Sequence, residues 1–175
     1  MKNTCNKLCG LLAALLTGCA TSSMPPVNTV AQVDLPSFMG DWYVIAHIPT
    51  GIEKEAHNAI ENYKLNSDGS IATTFTFNKA AFDGEAKKYQ PKGVVVPNTG
   101  NALWGMQFIW PIKAEYKIAY VDKNYQTTII ARTARDYVWI MARKPHLEAA
   151  QYQQLTDYVS ALGYDMTKLR LVPQR

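Results

Sequence analysis

Cysteine is scarce in this 175-residue chain, and what there is lies at one end. Cys5, Cys9 and Cys19 all sit near the amino terminus, so no disulfide can staple the long remainder, whose fold must rest on core packing. No thiol is left there for covalent catalysis. Histidine is as rare: His47, His57 and His146 form no His-x-x-x-His metal spacing, and no Gly-x-Ser-x-Gly elbow accompanies them. His47, near Pro49, and His57 read as solvated or capping groups. No catalytic residue, metal or cofactor is therefore expected. Excess charge of one sign is missing too: setting aside Lys2 and Lys7 leaves 16 basic against 14 acidic residues, too weak and dispersed a balance for a nucleic-acid surface. The one markedly apolar run, Leu8 to Leu16, is too short to span a bilayer as a helix.

Lys2 and Lys7 before that run make residues 1–18 a secretory signal that is removed. Its end, Leu16-Thr17-Gly18-Cys19, resembles the lipobox of bacterial lipoproteins, which implies that Cys19 is a lipid anchor. The resemblance implies three acyl chains, more than the two hydrophobic signals that suffice for stable attachment at about 0.8 kcal/mol per buried methylene. Ala20, where lipoproteins kept in the inner membrane carry aspartate, implies the outer membrane, on its periplasmic face. Residues 19–34, with Ser22, Ser23, Pro25 and Pro26 and no hydrophobic period, read as a tether that extends to about 50 Å. About 140 residues, 35–175, remain for one domain.

What is abundant is the aromatic ring, with ten tyrosines and four tryptophans. The rings fall in short alternating segments: 41–48, 59–65, 70–78, 88–96, 102–108, 115–121, 127–131 and 137–142. Turn formers such as Asn66-Ser67-Asp68-Gly69 and Pro97-Asn98-Thr99-Gly100 separate them, and only the link from Pro49 to Asn58 is long enough to be a lid. Eight strands joined by hairpins predict an all-β, antiparallel up-and-down barrel, which removes its own edges. Residues 148–162 carry Leu155, Tyr158, Val159 and Leu162 at helical spacing, with Gly163 as a stop, and predict one carboxy-terminal helix packed outside. Residues 168–172 read as a short last strand against the first.

Strand parity proposes a ligand lining of Phe75 and Phe77, then Trp104, Met106 and Phe108, then Tyr116, Ile118 and Tyr120, then Tyr137, Trp139 and Met141. The same rings could instead fill the barrel. Glu61, in phase with Tyr63, is a carboxylate that parity turns inward, able to meet a lysine or a headgroup amine.

Gly40, Trp42 and Tyr43 open the first strand, Asp122 and Tyr125 stand at the turn after the sixth, and Arg143 follows the eighth. With these residues in this order, the chain from about Leu35 to Pro173 resembles the lipocalins, most closely the bacterial outer-membrane lipoprotein branch. The family's usual threonine before the aspartate is missing. The resemblance implies that Arg143 lies across Trp42 at the closed end, with Gly40 and Asp122 completing that structural motif. It also implies an apolar or amphiphilic ligand, such as a fatty acid, lysophospholipid or phospholipid, held by a membrane-anchored binder. A solid barrel acting through its outer surface remains the other reading.

Overall fold

The computed structural model describes Met24 and residues 26–175; the signal segment, the lipobox and Cys19 lie outside the described residues. A short helix α1 (Leu35–Phe38) precedes β1 (Gly40–Ile48), β2 (Ala56–Leu65), β3 (Ile71–Lys79), β4 (Ala86–Tyr89), β5 (Lys92–Val95), β6 (Leu103–Ile109), β7 (Ile112–Val121), β8 (Thr127–Ala131) and β9 (Val138–Ala142). Helix α2 (Ala149–Ala161), a 3-10 turn (Met166–Lys168) and β10 (Arg170–Leu171) complete the chain. Among the described residues no helix is long and apolar enough to cross a membrane.

All pairings are antiparallel, and β9 returns to β1 through Tyr43↔Ala142 and His47↔Trp139, closing the sheet into a barrel. The wall has eight strands, because β4 and β5 are halves of one. The sequence reading of an unbroken strand over 88–96 fails at Gln90-Pro91. Pro91 has no N–H for the ladder, so the strand is interrupted there, although the Pro91 carbonyl still accepts from the Thr73 amide at 3.2 Å. The break matters to the wall: β5 pairs with β6, whereas β4 pairs only with β3. Above Lys92↔Gln107 the flank between β4 and β6 has no ladder. The corresponding stretch between β1 and β2 is filled by the carboxy terminus: β10 pairs with Ala46 and His47, and Asn58 donates to the Pro173 carbonyl.

Two apolar layers follow from the alternation. The inner one includes Phe38, Trp42, Tyr63, Phe75, Trp104 and Tyr116; the outer one joins Ile45, Ile129, Ile140 and neighbours to Leu155 and Val159 of α2. Burying each such aliphatic side chain stabilises the fold by about 1.5–3 kcal/mol. Part of the segment read as a tether belongs to this core. Val33 is buried in the inner layer and Val27 in the outer, and the amides of Val30 and Val33 donate to the carbonyls of Ile118 and Gly100. Gly100 has φ +59°, and a Cβ there would lie 1.9 Å from the Ala31 carbonyl oxygen, so only glycine admits this close pass. Valines at 27, 30 and 33 recur every third residue in a segment that forms neither strand nor helix, which is why the sequence hid their packing.

Candidate ligand-binding interior

The closed end is built around Trp42. Its indole N–H donates to the Phe38 carbonyl at 2.8 Å, and the Arg143 guanidinium lies 3.8 Å from its ring centroid. Arg143 also donates to the carbonyls of Asp41, Ser37, Met39 and Tyr125 at 2.7, 2.9, 2.8 and 3.2 Å, so one fork ties α1, β1 and the turn after β7 together. Gly40, at φ +91°, turns the chain into β1 directly beneath that fork. Asp122 holds the turn by accepting from the amides of Asn124, Gln126 and Thr127 and from the Thr127 hydroxyl. Burial opposes its ionisation, but these donors outweigh it and keep its pKa below the usual carboxylate range. Thr127, five residues on, thus supplies a threonine hydroxyl to Asp122.

Above Trp42 the interior is lined by rings. Trp104 and Tyr116 stack with centroids 5.4 Å apart, Tyr116 and Trp139 at 6.4 Å, and Tyr63 meets Trp104 edge-on at 5.6 Å. On β3 and β4, Phe75, Phe77 and Tyr89 make a second group. Among these rings sits Glu61, placed by the cross-strand pairs Trp42↔Glu61 and Glu61↔Phe75 on the inner face. Tyr63 donates to its Oε2, Tyr116 lies 3.4 Å from the same atom, and the two hydroxyls touch each other. Burial and the negative charge of Glu53 push the Glu61 pKa up to about 8, against the opposing bond from Tyr116. Glu61 is therefore a neutral acid near pH 7.

The mouth is closed by the link Pro49–Glu55 between β1 and β2. Its Glu53 is only 2 % exposed, accepts from the Thr50 amide at 2.8 Å and from the Trp139 indole at 3.2 Å, and lies 3.6 Å from His47 Nδ1. Burial raises the Glu53 pKa, but His47, Thr50 and Trp139 together bring it below the usual value, so the lid carries a buried negative charge. His47 is likewise 2 % exposed, not the solvated or capping group expected from sequence. A bulge at Ile45 sends Ile45 and Ala46 to the outer face and restores His47 to the inner one. Neither residue carried a sequence signal: the bulge hid His47, and Glu53 sits in a loop without period.

A lipocalin-like domain model matches residues 33–174 of this sequence. The chain belongs to the lipocalin-like family. It is 31% identical over 160 residues to temperature-induced lipocalin-1 of Arabidopsis thaliana, covering 85% of this chain and 83% of that protein. It is 26% identical over 167 residues to the outer membrane lipoprotein Blc of Citrobacter freundii, covering 93% and 92%. Among solved structures, insecticyanin from the tobacco hornworm Manduca sexta superposes with a TM-score of 0.66 at 17% identity, over 86% of this chain and 85% of its own, a likeness of fold.

Within this lipocalin barrel, Phe75, Phe77, Trp104, Met106, Tyr116, Ile118 and Met141 lie in the inner layer, and Trp139 packs against it half-buried at the mouth. Two residues proposed for the lining are elsewhere and a third stands at the rim. Phe108 is 57 % exposed, because the β6–β7 ladder shifts register after Met106. Tyr120 faces outward against Tyr158 of α2, ring centroids 5.4 Å apart, since a bulge at Ala119 reverses the parity that Tyr116 and Ile118 establish. Tyr137, just before β9, is half-buried at the rim, its ring 6.3 Å from that of Trp139 and the Arg132 guanidinium over it. Glu61 and Tyr63 are inward as parity indicated, but Leu65, at the strand end, is exposed.

Proposed function

We propose that this lipocalin is a membrane-tethered, non-catalytic carrier of apolar or amphiphilic acyl ligands in the bacterial envelope, held at the outer membrane through Cys19. The observation that carries the reading is the ring-lined interior closed by a lid. Each methylene withdrawn from water into such a lining contributes about 0.8 kcal/mol, so a long chain needs few polar contacts. Family membership supports hydrophobic-ligand binding, and the relative named outer membrane lipoprotein Blc supports the location. The unlaced flank between β4 and β6 offers a way in beside the lid. At the β6–β7 hairpin beside it, Trp110 and Ile112 are 83 % and 70 % exposed, suited to meeting a lipid surface.

The test is a titration of the soluble domain with a lysophospholipid, following tryptophan emission. Saturable quenching at one ligand per chain is expected, weakened about tenfold by Trp139→Ala, which removes both a lining ring and the bond that holds Glu53. A response that never saturates, or that Trp139→Ala leaves unchanged, would count against the reading.

A further inference from the structure

The polar groups inside the barrel have a sign. Among the described buried residues, the ionisable side chains turned to the interior are Glu53 from the lid, Tyr63 from β2, Tyr116 from β7 and His47 from β1, with half-buried Glu61 of β2 among them; Lys87, opposite Phe77 at the rim, is half-buried and paired with Glu85 at 2.6 Å. No lysine or arginine is among the buried charged residues described. Trp139 joins the two carboxylates, donating to Glu53 at 3.2 Å and stacking on Tyr116, whose hydroxyl lies 3.4 Å from Glu61.

An independent observation marks the same spot. Thr73 is 2 % exposed, and its Oγ1 has no hydrogen-bond partner. It pairs across the strands with Tyr63 and shares the inner face with Phe75, the partner of Glu61. Glu61 and Thr73 are therefore diagonal neighbours on one face, within reach of a common small group. A buried hydroxyl left unpaired costs roughly 1–3 kcal/mol. A donor arriving between Thr73 and Glu61 would recover that cost.

We propose that the deep interior is a cation site, which takes the protonated amine of an apolar amine and seats the ammonium beside Glu61 and Thr73, among Tyr63, Trp104, Tyr116 and Trp139, beneath the charge of Glu53. The proposal rests on the apolar-ligand reading and narrows it. An ammonium supplies the donor that Thr73 lacks and a positive partner for Glu61, and ring faces attract a desolvated cation. A carboxylate in the same place would face Glu53 and Glu61 with no buried lysine or arginine beside it and with His47 already turned to Glu53, so a free fatty acid, although expected from the family resemblance, is the ligand least suited to enter head first.

Ammonium binding also moves a proton. The Glu61 carboxyl, neutral when the site is empty at pH 7, loses its proton to solvent as the cation arrives, leaving a carboxylate–ammonium pair. The other groups that face this spot are Glu53, whose charge favours a cation, His47 beside Glu53 at 3.6 Å, and the hydroxyls of Tyr63 and Tyr116, the latter held neutral by burial. Affinity should therefore rise with pH toward about 8.

The experiment is calorimetry at pH 7 with three probes of equal chain length, dodecylammonium, dodecanol and dodecanoate, each in two buffers of different ionisation enthalpy. Dodecylammonium should bind about tenfold or more tighter than dodecanol, and dodecanoate weakest. Its binding should release close to one proton, whereas dodecanol releases none. Glu61→Gln, which keeps an acceptor for Tyr63, should abolish both the ammonium preference over dodecanol and the proton release. Phenethylammonium, run alongside, separates the sources: tighter binding of the dodecyl compound assigns the amine to a lipid-like amphiphile, and the reverse assigns it to a small free amine. Dodecanoate binding as tightly as dodecylammonium, or a preference that survives Glu61→Gln, overturns the cation site and leaves apolar binding standing. Failure of all probes, dodecanol included, overturns both.

Discussion

Single residues in this barrel serve opposite ends of a stability balance. Arg143 stabilises: it satisfies four carbonyls and covers Trp42, so Arg143→Ala should cost roughly 2–4 kcal/mol in urea unfolding, and Arg143→Lys should recover little because an ammonium cannot span the same carbonyls. Glu61 works the other way. Folding raises its pKa from the ordinary 4.5 to about 8, so the folded chain holds a proton that the unfolded chain has already released between those values. Its contribution is fully present below about pH 4.5 and is lost as pH rises through about 8, at up to about 1.4 kcal/mol per pH unit. Urea midpoints measured from pH 5 to 9 should show that decline, and Glu61→Gln should flatten it and be the more stable protein at pH 8. If wild type and variant run parallel, Glu61 is not the buried acid described. A carboxylate that lowers stability in the middle of an apolar interior is better understood as a group that binds something than as a packing element.

At the scale of the element, the lid is the least apolar part of the enclosure and hangs on Glu53. Glu53→Ala removes the acceptor of the Thr50 amide and of the Trp139 indole. Hydrogen exchange at Thr50 should accelerate by about tenfold or more, while amides of β8 and β9 stay protected. Unchanged exchange at Thr50 would mean the loop is held by its backbone alone. The elements also show what a strand pattern can and cannot convey. The run Thr127 to Ala131 and the stripe Leu155, Val159 on α2 follow their periods and were legible, as was the inward turn of Glu61 and Tyr63. Tyr120 and His47 were not, because a one-residue bulge reverses every side chain beyond it and leaves no mark in composition. Phe108 went astray for the same reason at a hairpin end. Pro91 was a visible signal of the break in the fourth wall strand.

For the whole molecule, closure of β9 on β1 leaves no free sheet edge there, and β10 with the carboxy terminus seals the wall beside β2. Among the described residues, the flank between β4 and β6 and the lid are places where the enclosure is not laced by a ladder, and both lie at the end away from Trp42. Residues 27–34 pack on the barrel, so any tether between it and an anchor at Cys19 is shorter than the 16 residues of 19–34 would provide. The central claim is that the ring-lined interior carries an apolar guest. Native mass spectrometry of the soluble domain, purified from bacteria and followed by organic extraction, tests it most directly. An added mass corresponding to one extractable apolar molecule per chain is expected, reduced in Trp139→Ala. A protein of bare chain mass that also takes up no dodecanol or lysophospholipid when these are supplied would contradict it, and would leave a solid barrel whose work is done on its outer surface.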